Sequence, residues 1–428
     1  MIDIQIYTGG PAEALFRRTP PAGDVTAAVA DILAAVKAEG DAALYRFAEK
    51  FDGGRPAALE LSRAEWDALA DQADPALVQT MTRAAENIRA FHVKQLSQGF
   101  ELRRADGAVV GQRVLPVERA ALYIPGGTAA YPSTVLMNAI PAKAAGVPEI
   151  VMTSPEKNGR MNPDILAAAR LAGVDRVFRL GGAQAIAALA YGTESVPRAD
   201  KIVGPGNAYV AEAKRQIYGQ AGIDMIAGPS EILIVADGRS DPELVAADML
   251  SQAEHDKNSA ALLVTDSLAL ARAVDAALER QLAALPRREI AGASLRDNGR
   301  ILVADSLEAA VSLANQWAPE HLELCVEDPF RLLGLVKHAG SVFLGRSTPE
   351  AIGDYWAGSN HTLPTSGTAR FASPLSVEDF VRRSQYIYYP VEAAAAAAQD
   401  IALFARAEGL EGHARSALSR GQELEAGK

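Results

Sequence analysis

The sequence predicts an α/β protein of two doubly wound domains, with a small helical segment ahead of them and a helical tail behind. Three observations lead there. From Ala120 onward short apolar runs alternate with helical stretches, the pattern of βαβ units around a parallel sheet. This alternation occurs twice, with a well-marked helix between the two series. A chain of 428 residues also exceeds what one hydrophobic core usually serves.

Composition narrows the partners. Hydrophobic residues make up 49% and charged residues 22%, enough for a large core and far from a disordered composition. The formal net charge is -11 and no run of Lys or Arg stands out, which argues against nucleic acid and anionic membrane. Small-molecule chemistry is the expectation. Cys325 is the single cysteine, so the chain forms no internal disulfide and no thiolate zinc cluster. A metal would have to rely on His, carboxylate or amide ligands. The first eleven residues lack a basic region followed by an apolar core, and no apolar run approaches the roughly 18 residues of a membrane span. A cytoplasmic location is expected.

Residues 24–53 and 62–97 are predicted to be largely helical. Val25, Val29, Ile32 and Val36 recur at helical spacing, with Asp24 and Ser62 as caps. His92, near the end of this region, is expected to be an ordinary, partly buried histidine. The first strand series covers 121–124, 149–153, 176–180, 201–203 and 231–236. Several of these strands run into glycine-rich turns: Tyr123-Ile124-Pro125-Gly126-Gly127, Gly181-Gly182-Ala183-Gln184 and Gly204-Pro205-Gly206-Asn207. Glycines at strand ends let a ligand approach the backbone, and the helix N-termini that follow attract phosphate. The last turn departs from the dinucleotide fingerprint, and tight-turn packing accounts for it equally well.

Asp241 caps the helix between the two series, with Pro242 at its first position and Glu243 in its first turn. Val245, Met249 and Gln252 share one stripe, so Gln252 points inward, and His255 follows three residues later. Side chains at i and i+3 can reach one point, as two metal ligands must. Taken alone, the pair fits more readily a core glutamine and histidine satisfied by backbone hydrogen bonds.

The second series places strands at 261–265, 301–304, 322–326 and 341–344, with helices near 267–285, 306–317 and 328–338. Two such units facing each other would hold a ligand cleft at their strand ends. Before the third of these strands, Ala318-Pro319-Glu320-His321 sets a carboxylate beside an imidazole, which can divide acid and base roles at neutral pH. A surface glutamate and a structural histidine would look the same. Residues 353–361 read as a functional loop in which Asp354 is a ligand or a turn residue and His361 braces the loop. His338 is placed on an amphipathic helix. The tail runs as helix from Val391 to about Leu424 and contains Glu408 and His413. It is too small to hold a core of its own, so it should pack on a neighbour or a partner subunit.

Together these stretches resemble the histidinol dehydrogenase family from about residue 24 to 420. The likeness is carried by Tyr-Ile-Pro-Gly-Gly at 123–127, Gly-Gly-Ala-Gln-Ala-Ile at 181–186, Gly-Pro-Gly-Asn at 204–207 and Ala-Gly-Pro-Ser-Glu at 227–231. It continues in Ser-Gln-Ala-Glu-His at 251–255, Pro-Glu-His-Leu at 319–322, Gly-Asp-Tyr at 353–355 and Asn-His-Thr-Leu-Pro-Thr at 360–365.

The resemblance implies an NAD-linked enzyme with one Zn2+ per subunit that oxidises L-histidinol through L-histidinal to L-histidine, as a homodimer with shared active sites. It implies Gln252, His255, Asp354 and His413 as zinc ligands, the last from the partner subunit through a swapped tail. Glu320 and His321 become the catalytic pair, and Tyr123, Gln184 and Asn207 the NAD contacts. Ser230 and Glu408 join His321 and the zinc ligands as substrate contacts. The implied organisation is two Rossmann-like domains: 24–122 with 233–375 for metal and catalysis, and 123–232 for NAD. An N-terminal segment, 1–23, precedes them and the tail, 376–428, follows. A rival is a dehydrogenase of the same scaffold acting on another alcohol, such as a sulfonated diol; Glu408 and the intact substrate-contacting set favour histidinol.

Overall fold

The computed structural model describes residues 2, 4–9, 15, 18, 24–126, 131–157 and 159–426, with the backbone alone described for 421–426. Most of the N-terminal segment 1–23 and Gly127 of the first glycine turn therefore lie outside the described residues.

Strand β1 (Ile4–Tyr7) precedes four helices, α1 (Thr26–Glu39), α2 (Asp41–Phe51), α3 (Arg63–Ala70) and α4 (Pro75–Val93). A hairpin, β2 (Phe100–Arg103) and β3 (Val109–Pro116), leads to β4 (Arg119–Tyr123), α5 (Pro132–Ala144), β5 (Glu149–Thr153), α6 (Pro163–Ala172) and β6 (Arg176–Phe178). Then come α7 (Gly182–Tyr191), β7 (Lys201–Val203), α8 (Ala208–Ile217) and β8 (Gly222–Ile223). Next is β9 (Glu231–Ala236), which the sequence pattern places in the first series but which joins the sheet of the second, then α9 (Pro242–Ala253), β10 (Ala260–Thr265), α10 (Leu268–Leu282), α11 (Arg288–Asn298), β11 (Arg300–Ala304) and α12 (Leu307–Trp317). The second series continues with β12 (His321–Cys325), α13 (Pro329–Leu333), β13 (Ser341–Leu344) and α14 (Glu350–Tyr355). The chain closes with β14 (Val381–Tyr388), α15 (Val391–Ala407) and α16 (Glu411–Ala426).

Two units result, Met1–Gln95 with Val117–Phe380, and Leu96–Pro116 with Val381–Lys428. The first is the expected α/β architecture. Its six-stranded sheet has the order β1-β11-β10-β9-β12-β13 and its five-stranded sheet the order β6-β5-β4-β7-β8. Every pairing in both is parallel. Strand order reverses between β9 and β12 in one sheet and between β4 and β7 in the other, so each is doubly wound with its own switch point. Strands β9, β10 and β12 are buried along their whole length, as their continuous apolar runs require of a sheet covered on both faces.

The helices ahead of β4 belong with the five-stranded sheet. Val29, Leu33 and Leu44 of α1 and α2 share a cluster with Phe178, Ile186 and Val210, while Trp66 and Ile88 of α3 and α4 pack with Val135, Ile140 and Leu166. This grouping corrects the boundaries drawn from the sequence, which set 24–122 with the other sheet. Core membership is decided by which apolar stripe meets which strand face, and chain order does not record that. Elsewhere the helix signals act as written. Ser62 and Glu65 form a reciprocal capping box, Asp74 with Pro75 starts α4, and Asp241 accepts from the Glu243 backbone N–H.

Other elements differ from expectation. The span 62–97 is broken between Ala70 and Pro75, where the Asp74 cap begins a new helix. Helix α13 stops at Leu333, so His338 lies beyond it, its backbone N–H donating to Asn315 Oδ1 at 3.2 Å. Residues Glu350–Tyr355 form a short helix where a loop was expected to begin at 353. Strand β1 and helix α11 went unanticipated.

The second unit is not a purely helical tail. It contains an antiparallel sheet of order β14-β3-β2, in which Val381–Tyr388 pairs with Val109–Pro116 along its full length. The α15–α16 hairpin holds a core of Ala402, Ala405 and Ala414 with Leu418 against it. Among the described residues no helix is long and apolar enough to cross a membrane.

Candidate active site

A cavity of about 380 Å³ joins the two sheets of the first unit. On one side it meets Pro125, Gly204, Pro205, Gly206 and Asn207, which follow the carboxyl ends of β4 and β7. This is the switch-point position at which open α/β sheets take ligands. On the other side it meets Ser230, Glu320 and His321, at the amino ends of β9 and β12, together with Gln252 and His255 where α9 ends. The cleft thus pairs the carboxyl edge of one sheet with the amino edge of the other. A helix that runs antiparallel to its strands delivers its C-terminus to that amino edge.

The Gly204–Asn207 turn is held from beneath. Buried Lys214 and Asp224 form an ion pair; Lys214 Nζ also donates to the Gly204 carbonyl at 3.0 Å, and the Gly204 N–H donates to Asp224 Oδ2 at 2.8 Å. Gly204 has φ +116°, and a Cβ there would lie 2.2 Å from the Tyr123 carbonyl oxygen, so no other residue fits. Asn207 caps α8 through the Tyr209 and Val210 N–H groups at 3.0 and 3.2 Å and lines the cavity. Tyr123, at the end of β4, meets the start of α7, which carries Gln184; both are buried, and neither is among the residues lining the cavity. The Tyr123 hydroxyl accepts from the Gly182 N–H at 3.1 Å, and Gln184 Nε2 donates to Asp52 at 3.3 Å. Burial pushes the Tyr123 phenol up to about 12.

The opposite wall is polar and buried. Alternation along β12 sends Leu322 and Leu324 into an apolar cluster and turns His321, Glu323 and Cys325 to the other face. Glu323 Oε1 accepts from the Glu350 N–H at 2.8 Å, a carboxylate at a helix N-terminus that fixes α14 over the strand. Ala318, with φ +52°, ends α12 in the left-handed conformation and turns the chain into Pro319-Glu320-His321.

Glu320 and His321 are both anchored on the backbone of one residue, Glu231. Glu320 Oε2 accepts from the Glu231 N–H at 2.8 Å, and His321 Nδ1 lies 3.1 Å from the Glu231 carbonyl oxygen. A carbonyl can only accept, so Nδ1 carries the proton and the lone pair sits on Nε2. That Nε2 is buried with no hydrogen-bond partner among the described residues, 3.8 Å from Glu350 and 3.9 Å from Asp354. Burial depresses the imidazole to about 4, keeping it neutral. Glu320 is driven the other way, well above the usual carboxylate range, by burial and then by the charges of Glu231 and Asp354.

Around Nε2, the ligand atoms of His255, Glu350 and Asp354 lie within 4.8 Å of one another. His361 joins them, Nδ1 at 3.9 Å from Asp354. The Gln252 amide, fully buried, has two orientations. With nitrogen inward it lies 3.1 Å from His321 Nδ1 and 3.2 Å from both Glu350 oxygens; with oxygen inward it adds an acceptor to a cluster of acceptors. Since Nδ1 already carries a proton, the inward nitrogen is matched by Glu350 alone. The inward oxygen is matched by a cation. Imidazole, carboxylate and amide oxygen converging on one buried point are donors suited to zinc.

The structure thus brings together Ser230, Gln252, His255, Glu320, His321 and Asp354, and adds Glu350, Glu231 and His361 to them. Glu350 was missed because it precedes the stretch read as a loop; its spacing of four from Asp354 was the available signal. His92 is fully buried, with Nδ1 2.7 Å from Gln95 Oε1. Glu408 and His413 are exposed residues of the second unit, at the end of α15 and in the first turn of α16.

Comparison with known proteins agrees across the chain. The sequence profile of histidinol dehydrogenase matches residues 16–421. The histidinol dehydrogenase of Syntrophotalea carbinolica is 53% identical over 409 residues, 94% of each chain, and that of Bacillus subtilis is 51% identical over 397 residues, 92% of this chain and 93% of that one. The crystal structure of histidinol dehydrogenase from Elizabethkingia anophelis superposes with a TM-score of 0.93 at 36% identity, covering 99% of this chain and 98% of that one. With a neutral, base-ready histidine beside a buried cluster of metal-type donors and agreement along the whole sequence, the chain belongs to the histidinol dehydrogenase family of oxidoreductases.

Proposed function

We propose that the protein oxidises L-histidinol to L-histidine through L-histidinal, a four-electron reaction coupled to two NAD, in the cytoplasm and as a zinc-containing homodimer. The observation that carries this reading is the His321 geometry: Nδ1–H fixed on the Glu231 carbonyl and a free, buried Nε2 facing the donor cluster. Gln252, His255 and Asp354 would hold the zinc, with His413 from the partner subunit as the fourth ligand. When bound, zinc would fix the substrate's amino and imidazole nitrogens, and NAD, seated against Asn207 with Tyr123 and Gln184, would accept hydride.

The chain's own residues do the rest. His321 Nε2 takes the proton of the substrate hydroxyl as hydride departs. Glu320 takes a proton from the water that hydrates the aldehyde; a carboxylate whose pKa is raised is a stronger base once ionised. His321 then serves again in the second oxidation. Ser230 and Glu408 orient the substrate, and burial keeps bulk water from the aldehyde between steps. A sulfonated diol would bring an anionic sulfonate and no cationic group for Glu408 to meet.

The zinc assignment is tested by dialysis against a chelator followed by metal analysis and assay. One zinc per chain should be lost together with activity, and both should return on adding zinc. Full activity in zinc-free protein would sink the site.

A further inference from the structure

Arg18 lies far from the catalytic pair in sequence, yet its guanidinium grips the residue on which both members rest. Arg18 Nε donates to Glu231 Oε1 at 2.6 Å and Nη2 to Glu231 Oε2 at 2.9 Å, a two-point pair with a carboxylate that is almost wholly buried. The same Nη2 donates to the Trp317 carbonyl at 2.7 Å, and the guanidinium stacks 3.8 Å over the Trp317 ring. Trp317 ends α12, immediately ahead of the Ala318 turn into Glu320 and His321. A third segment makes room for the same group. Gly367 has φ +80°, and a Cβ there would lie 2.6 Å from Arg18 Nη1. This is the chain that carries His361 and Thr365, and Thr365 Oγ1 accepts from the Gly228 N–H at 2.6 Å, two residues before Ser230. One guanidinium therefore ties together the start of β9, the turn before β12 and the 360–367 segment.

We propose that Arg18 is a positioning residue for catalysis, acting through Glu231: it fixes the Glu231 backbone, whose carbonyl sets the His321 tautomer and whose N–H holds Glu320. The inference rests on the roles given to Glu320 and His321 above. Without the clamp the Glu231 carboxylate would be buried with no countercharge, left with the Ser366 N–H as its partner, and β9 would shift to reach water. A displacement of about 1 Å at a general base can cost roughly a hundredfold in rate.

The test uses full-length, zinc-loaded enzyme as Arg18→Ala, Arg18→Lys and each combined with His321→Asn. Arg18→Ala should lower kcat at least about tenfold, with zinc content unchanged and KM for L-histidinol within about twofold. Arg18→Lys, which keeps the charge and loses the fork, should fall between Arg18→Ala and the parent. In the His321→Asn background Arg18→Ala should cost less than it does alone, because the part of its effect that runs through His321 is already lost while the part that runs through Glu320 remains. Unchanged kcat in Arg18→Ala, a lower melting temperature as its sole effect, or a full independent loss on top of His321→Asn would overturn the proposal. A readout apart from turnover is the nitrogen-15 shift of the His321 ring, which should report Nδ1–H in the parent and lose that preference in Arg18→Ala; an unchanged tautomer counts against the clamp. If the parent does not oxidise L-histidinol, the functional reading fails while the tautomer experiment still decides the role of Arg18.

Discussion

Glu320 and His321 are adjacent in sequence, and the same burial shifts their pKa values in opposite directions. The imidazole is kept neutral because charging it in a dry site is costly, and the same cost raises the Glu320 carboxyl well above the usual range, which makes it a stronger base once ionised. His321→Asn and Glu320→Gln should each lower kcat by about 10²–10⁴-fold with little change in histidinol affinity, measured by steady-state kinetics beside direct binding. Near-normal turnover in either variant would remove that residue from the mechanism. The sequence made this pair visible as a carboxylate beside an imidazole ahead of a strand, and Gln252 with His255 as two side chains three apart. It did not reveal that Glu231 would act through its peptide. Backbone groups have no identity in a sequence, and the contacts at Glu231 span 89 and 90 residues.

At the scale of elements, β12 organises the polar wall. Its inward face carries His321, then Glu323 beneath α14, then Cys325, whose Sγ donates to Glu323 Oε2 at 3.7 Å. Asp248, one turn before Gln252 on α9, shares this layer. Burial raises its pKa from 3.8 to about 6, while burial and Asp248 hold Glu323 well above the usual range. The sign follows from linkage. A carboxyl whose folded pKa exceeds its unfolded value costs nothing below 3.8, costs progressively more up to about 6, and imposes its full penalty above that. Asp248→Asn should therefore raise the melting temperature relative to the parent at pH 8 and lose most of that advantage at pH 4, followed by calorimetry. An advantage that grew on acidification would contradict the assignment. Helix α9 was legible from its cap and spacing, and α4 and α10 fell within stretches read as helical, although the Asp74 start of α4 was not read. Short elements were not legible: β1 has four residues and α14 six, too few for a period to declare itself.

Across the whole molecule, the two alternating series foretold two parallel sheets because buried parallel strands leave continuous apolar runs. Their order, the packing of α1–α4 against the five-stranded sheet and the pairing of β14 with β3 were hidden, since each depends on long-range contacts. The proposed site draws Glu408 and His413 from the second unit of a partner chain. Mixing a His413→Ala subunit with a His255→Ala subunit should then restore activity from two inactive parents, read by NADH formation after subunit exchange; no recovery in a verified mixed dimer would place His413 in its own subunit's site. The central claim is the reaction itself. NADH formed per L-histidinol consumed, set against other amino alcohols and a sulfonated diol, tests it most directly. The account predicts two NADH and one L-histidine per L-histidinol, with little turnover of the others, whereas a single NADH with accumulating aldehyde, or a preference for the diol, would contradict it.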